Sequence, residues 1–244
     1  MGIVWGAITL GAMLLGVPWL AGWLALVAAL AAASATRTWG TSEIAQRFSH
    51  NRRARVQPPA AVAAVLAAAV TLSSLAGDWP VVIAAGAAAV ALAIGTVFGP
   101  LGQPNLLRRL VIVLGPAAGA AGLIAARADG LAEGLVLAGM VTVFDSSAYL
   151  IGTGASNVWE GVVAGVASIA ALTLFVAAVL VPPFSGPTPW LLGGAAALLA
   201  PIGPVLARWA VGDKASPVPA LKRLDSLMLV GPVWAAGVGL LLHR

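Results

Sequence analysis

The stretch that decides the fold is VFDSSAYLIGTGASNVWEG, Val143–Gly161. It begins inside an apolar run, carries Asp145 within that run, and breaks at Gly152 and Gly154. A second apolar run then opens behind Glu160. Transmembrane strands read as alternating segments of about ten residues, whereas the runs flanking this break are longer and uninterrupted. Outward from it, the 244 residues are 61% hydrophobic and only 9% charged, with a mean hydropathy of +1.01. A soluble domain carries about 25% charged residues. In hydrocarbon, backbone polar groups must be satisfied within the chain, so only helices and closed barrels span. The sequence therefore predicts an all-α, polytopic helical membrane protein.

Cutting at charges, prolines and glycine clusters gives nine apolar segments: 3–17, 18–36, 58–77, 80–98, 106–126, 130–152, 158–181, 188–209 and 225–242. About 20 residues are needed to cross. The first two are short and joined only by GVPW, so a single long tilted helix is the competing reading. With nine spans, eleven of the thirteen Lys and Arg fall on one side. They are Arg37, Arg47, Arg52, Arg53, Arg55, Arg108, Arg109, Arg208, Lys214, Lys222 and Arg223; Arg127 and Arg244 fall opposite. The positive-inside rule makes the larger group, and with it the N-terminus, cytoplasmic. The segment from Ile3 has no basic residue before it and no clear cleavage site, and reads as a retained span. The pI of 11.1 does not call for nucleic acid, because the bases sit between spans and set topology. Three stretches are expected: 1–57 with the first helices and a basic loop, 58–126 with the middle helices, and 127–244 with the polar residues.

The chain has no cysteine, which removes disulfides and thiolate metal sites. His50 and His243 have no partner at metal spacing. Trp39, Trp79, Trp159, Trp190 and Trp209 fall at span ends, as interfacial belts do. The basic loop 37–55 could bind anionic headgroups, but orientation alone accounts for it. Asp78, Asp129 and Glu133 sit in outer loops. Asp145, Glu160, Asp213 and Asp225 instead gather at the cytoplasmic ends of the last four spans, a grouping that topology does not require.

Asp145 lies about two turns inside its span, where a carboxylate costs up to roughly 3 kcal/mol on insertion scales. Tyr149 follows at i+4 on the same face. Either a watery cavity tolerates the acid, or it pairs with a buried base or caps a neighbouring helix. Glu160 is accounted for by the first turn of a helix capped by Ser156 or Asn157. GTGAS lacks the spacing of a dinucleotide loop or a P-loop. The densest patch, Ala207–Leu229, holds Arg208, Asp213, Lys214, Lys222, Arg223 and Asp225. Its bases serve as a cytoplasmic anchor, but Asp225 before a wholly apolar helix is not explained that way. Carboxylates beside bases suit Mg²⁺ with a polyphosphate, since Mg²⁺ takes one or two carboxylates plus phosphate oxygens. The last helix is expected to start near Leu221–Arg223, with Asp225 in its first turn.

These elements resemble the integral-membrane CTP-dependent cytidylyltransferases, the phosphatidate cytidylyltransferase family and its relatives. DSSAYLIG supplies Asp145, Ala148, Tyr149 and Gly152 of an Asp–x–x–Ala–Tyr–x–x–Gly element. SNVWEG supplies Trp159, Glu160 and Gly161, and KRLDS supplies Arg223, Asp225 and Ser226 before the last span. Ser156 and Asn157 stand in place of the family's lysine pair, and Lys222 in place of its first C-terminal Asp. The shortened C-terminal element is similar to that of CDP-archaeol synthases. The resemblance implies transfer of CMP from CTP to a lipid phosphate such as phosphatidate, in a bacterial or archaeal cell membrane with the active side cytoplasmic. It implies Asp145, Arg223 and Asp225 as catalytic and Asp145, Asp213 and Asp225 as Mg²⁺ ligands. Tyr149, Ser156, Asn157, Glu160, Arg208, Lys214, Lys222 and Ser226 would contact substrate. The rival readings are a degenerate homologue that binds lipid or scaffolds a partner, and a transporter. The second is disfavoured because the ionisable residues lie almost entirely in one half. The Ala- and Gly-rich spans allow a homodimer without demanding one.

Overall fold

The computed structural model describes residues 2–42, 58–97, 106–212 and 218–242. Every regular element among them is helical. The α-helices are α1 (Gly2–Leu15), α2 (Val17–Ser42), α3 (Pro58–Ser73), α4 (Asp78–Val97), α5 (Leu106–Asp129), α6 (Leu131–Gly152), α7 (Val158–Val179), α8 (Thr188–Leu199), α9 (Ile202–Val211) and α10 (Leu227–Leu241). Short 3₁₀ turns at Ser74–Ala76 and Leu221–Arg223 precede α4 and α10. All nine expected segments are helical, but only seven stretches among the described residues are long and apolar enough to cross a membrane. Val4–Leu15 and Ala60–Ala76 are shorter apolar helices.

The N-terminal ambiguity resolves into two helices. Gly16 has φ 120°, a left-handed conformation that a side chain would resist. It breaks the run, and α1 folds back on α2: the Trp5 and Trp23 rings lie 5.0 Å apart, and Trp23 Nε1 donates to Thr9 Oγ1 at 2.9 Å. Helix α1 rises about 21 Å, short of the hydrocarbon thickness of roughly 30 Å. Its end is tied down by Arg127 of α5, whose Nε donates to the Met13 carbonyl at 2.9 Å, one of the acceptors a helix terminus leaves unpaired. The eighth segment is also two pieces. Helix α8 ends at Leu199 and α9 begins at Ile202, directly after Pro201, which has no N–H to continue the ladder; Pro204 falls in the first turn of α9, where a missing N–H is tolerated.

Helix α5 is the centre of the bundle, packed against α2, α3, α4, α6, α9 and α10. Helices in lipid gain little from hydrophobicity, and close packing of small residues decides their association. The α5–α10 contact shows it. A Cβ on Gly122 would stand 2.2 Å from the Gly231 carbonyl carbon, and one on Gly119 would stand 2.8 Å from that of Leu227. A second apolar cluster, with Ala31 and Ala35 of α2, Ile112 of α5, Ala207 and Ala210 of α9 and Met228 of α10, seats the segment containing Val218 and Leu221. Outward faces carry large apolar side chains such as Val65, Ile83, Val90, Leu198 and Val205, all exposed as lipid-facing residues are. Trp79, Trp159, Trp190 and Trp209 are exposed at helix ends. The alternation of helices puts Arg37, Arg108, Arg109, Arg208, Lys222 and Arg223 at one end of the bundle, and Arg127 with Asp78, Asp129 and Glu133 at the other.

Candidate functional site

At the basic end, α6 and the start of α10 bring together residues far apart in sequence. Asp145, seven residues before the last of α6, is half-buried. Asp225 is 9% exposed and Ser226 1% exposed. Ser226 Oγ donates to Asp145 Oδ1 at 2.5 Å, across 81 positions of sequence. The Ser226 backbone N–H donates to Asp225 Oδ1 at 2.8 Å, and Ser226 Oγ lies 3.5 Å from that same oxygen. One serine thus stands between two carboxylates. Oδ1 of each carboxylate lies within 3.5 Å of the Ser226 hydroxyl oxygen, which sets two like-charged groups close together.

The local backbone differs from expectation here. The last α-helix starts at Leu227, not at Leu221–Arg223; those three residues form a separate 3₁₀ turn, and Asp225 precedes the helix rather than lying in its first turn. The cause is local: an Asp side chain that accepts from the next backbone N–H competes with helix formation. Gly203 supports the turn from behind. A Cβ there would come 1.9 Å from the Asp225 carbonyl oxygen, so only glycine lets α9 approach this closely.

Around the pair, Lys222 is exposed and holds its ammonium 5.7 Å from the centroid of the Tyr149 ring, a cation–π contact that tethers the turn to the end of α6. Tyr149 is itself exposed, one turn beyond Asp145 on α6. Arg223 is exposed beside Lys222. The link from α6 to α7 uses its polar residues locally. Asn157, with extended dihedrals, caps α7 by accepting from the Trp159 N–H at 3.2 Å. Ser156 Oγ donates to Glu160 Oε1 at 3.0 Å. Arg208 is exposed in the last turn of α9. Asp213 and Lys214 lie outside the described residues.

Ser168, Gly165 and Gly203 were not singled out in the sequence, and Gly161, already named in the SNVWEG element, gains a packing role. Ser168 of α7 shares a 2.6 Å hydrogen bond with Ser147 of α6, two residues after Asp145. Gly161 and Gly165 let α7 close on α6: a Cβ on the first would meet the Ala148 carbonyl at 2.6 Å, and on the second the Phe144 ring at 2.5 Å. A glycine's role in a close approach has no local signature, because its reason lies on another helix.

Among the described residues no three His, Cys, Asp or Glu side chains cluster as a protein-only metal cage. Two carboxylates do fit Mg²⁺, which takes one or two and completes its shell with water and substrate phosphate. The bonds to Ser226 engage Oδ1 of each carboxylate. Hard oxygen donors next to two exposed cations can hold a metal–phosphate group and stabilise charge on phosphoryl oxygens. Comparison with protein-family models, curated proteins and solved structures finds no match to this chain. The functional reading therefore rests on the chemistry of the site.

Proposed function

We propose that the chain is a membrane-embedded cytidylyltransferase that transfers CMP from CTP to a lipid phosphate such as phosphatidate. The observation that carries this reading is the Asp145–Ser226–Asp225 constellation. It brings together two carboxylates 80 residues apart, one within α6 and one in the turn that leads into α10, at the end of the bundle where Lys222 and Arg223 project. Uncompensated carboxylates in a span are costly, and functional sites are where they persist. The same residues carry the resemblance to the cytidylyltransferases. The charge asymmetry supports a basic end that faces the cytoplasm, where CTP is available.

In this reading an oxygen of the lipid phosphate forms a bond to the α-phosphorus of CTP, and the α–β bridging bond breaks. Pyrophosphate leaves with that electron pair. The nucleophile is already anionic and needs no general base, so catalysis is positioning and charge stabilisation. Asp145 and Asp225, with Asp213 as a third candidate, would hold Mg²⁺, which when bound would neutralise charge on the phosphoryl oxygens. Ser226 fixes the Asp145 carboxylate, and Tyr149 positions Lys222. Lys222, Arg223, Arg208 and Lys214 hold phosphates. The Ser156–Asn157–Glu160 segment borders the site.

One observation favours a second reading, a degenerate homologue that binds lipid or scaffolds a partner. Ser156 and Asn157 stand where the similar family has lysines, and both side chains are engaged in bonds to the start of α7. The two readings part on pyrophosphate release from CTP, with Mg²⁺ and phosphatidate, by the purified chain beside Asp225→Asn. Release that falls by roughly a hundredfold or more in the variant supports the enzyme. Absence of both release and CTP binding supports the degenerate homologue.

A further inference from the structure

Two hydroxyls beside the carboxylate pair depart from a pattern that the other helices keep. Thr9, Thr71, Thr96, Ser168 and Thr173 each donate to the carbonyl four residues earlier, at 2.7–2.9 Å, which satisfies a hydroxyl within its own helix. Thr142 and Ser146 of α6 do not. Both are exposed, and among the described residues neither hydroxyl has a hydrogen-bond partner. They are four apart and share one face of α6. The opposite face carries Met140, Val141 and Phe144, which are buried.

Transfer of a hydroxyl into hydrocarbon without a hydrogen bond costs roughly 4–8 kcal/mol. Where a helix meets only acyl chains its outward face is apolar, as in α4, which turns Val82, Ile83, Val90 and Ile94 outward. The outward face of α6 is built to meet hydrogen-bond acceptors instead. The order of groups along it identifies them. Tyr149, with the Lys222 ammonium 5.7 Å from its ring centroid, lies nearest the basic end. Ser146 is level with Asp145, and Thr142 lies about 4.5 Å deeper than that carboxylate along the helix axis. Deeper still are Leu135, Ala138 and Gly139, which carry no polar side chain. Charged groups, then hydroxyl donors, then an apolar surface match a diacyl glycerophosphate taken from its phosphate through its ester carbonyls to its chains.

We propose that Thr142 and Ser146 bind the ester carbonyls of the acceptor lipid, and so select an ester-linked over an ether-linked lipid phosphate. The proposal rests on the cytidylyltransferase reading of the adjacent carboxylates and adds the class of acceptor. An ether-linked analogue keeps the phosphate and the chains but offers these hydroxyls no carbonyl. The first test reads binding alone. The full chain in neutral detergent is given phosphatidate or its di-O-alkyl analogue of equal chain length, and retention is followed by native mass spectrometry. The native chain is expected to hold the ester lipid roughly tenfold more tightly, as two hydrogen bonds would give. In the double variant Thr142→Val with Ser146→Ala, affinity for the ester lipid falls to that for the ether lipid. The variant should unfold in detergent at the native temperature or higher, because neither hydroxyl has a partner in the protein. Equal affinity of the native chain for both lipids overturns the proposal without any variant, and is the result expected if water alone satisfies the hydroxyls. A variant that keeps the preference overturns it too. So does one that changes the mass of the native oligomer, which would assign the hydroxyls to contact with a second copy. Pyrophosphate release separates this proposal from the enzymatic reading. Ester-selective binding with no release from CTP retires the enzyme and keeps the ester-binding site. Release with equal kcat/KM for both lipids retires the site and keeps the enzyme.

Discussion

Ser226 has one hydroxyl proton and two carboxylates within reach of its oxygen, Asp145 at 2.5 Å and Asp225 at 3.5 Å. The shorter contact takes the proton, and Asp225 is held instead by the backbone N–H. Removing the hydroxyl leaves a half-buried carboxylate without that donor. Ser226→Ala should therefore lower stability by about 1–3 kcal/mol, read as a lower Tm in detergent; an unchanged Tm would contradict this role. Asp145→Asn separates structure from chemistry, because an amide oxygen still accepts from Ser226 but offers no charge to a metal. The variant should stay within about 1 kcal/mol of the native chain while losing CTP turnover, and retained turnover would remove Asp145 from the metal site. Asn157 tests the opposite case. Its side chain caps α7, so Asn157→Ala should cost about 1 kcal/mol and leave turnover within a few-fold of native.

At the scale of elements, the site depends on helices that approach to backbone contact. Gly203 against the Asp225 carbonyl and Gly122 against Gly231 admit no side chain without displacing a helix. Gly203→Val should displace the turn that carries Asp225. The expected result is a Tm lowered by an amount equivalent to about 1–3 kcal/mol or more, with turnover lost; native Tm and native turnover would show that α9 does not buttress the site. These contacts also mark the limit of what was legible in the sequence. Apolar runs, bases between them and the break at Gly152 located the apolar helical stretches, because hydrocarbon length and charge placement act locally, but not the division of 188–209 into α8 and α9. The cap at Asn157 was legible for the same reason. The start of α10 was not, because an Asp–Ser side-chain bond to the backbone replaced the first helical turn. Nor were Ser168 and Gly203, whose partners lie 21 and 22 residues away in sequence, on other elements.

For the whole molecule, one end of the bundle is basic and carries the carboxylate pair, and the other carries Arg127 with three acids. The absence of cysteine makes orientation directly measurable. A single cysteine at Lys222 should resist a membrane-impermeant maleimide on intact cells and react after permeabilisation, whereas one at Asp78 should react from outside; the reverse pattern would invert the topology. The apolar patterning indicated the helical membrane class early, whereas the meeting of residue 145 with residue 226 depends on the packing of α6 with α10, and only the resemblance pointed to Asp145, Asp225 and Ser226 at one site. That meeting point is the central claim. The most direct measurement is pyrophosphate release from CTP by the full chain with Mg²⁺ and phosphatidate, beside Asp145→Asn and Asp225→Asn under the same conditions. The account predicts release by the native chain and loss of roughly a hundredfold or more in each variant. Release that persists in both variants, or no release and no CTP binding by the native chain, would contradict it.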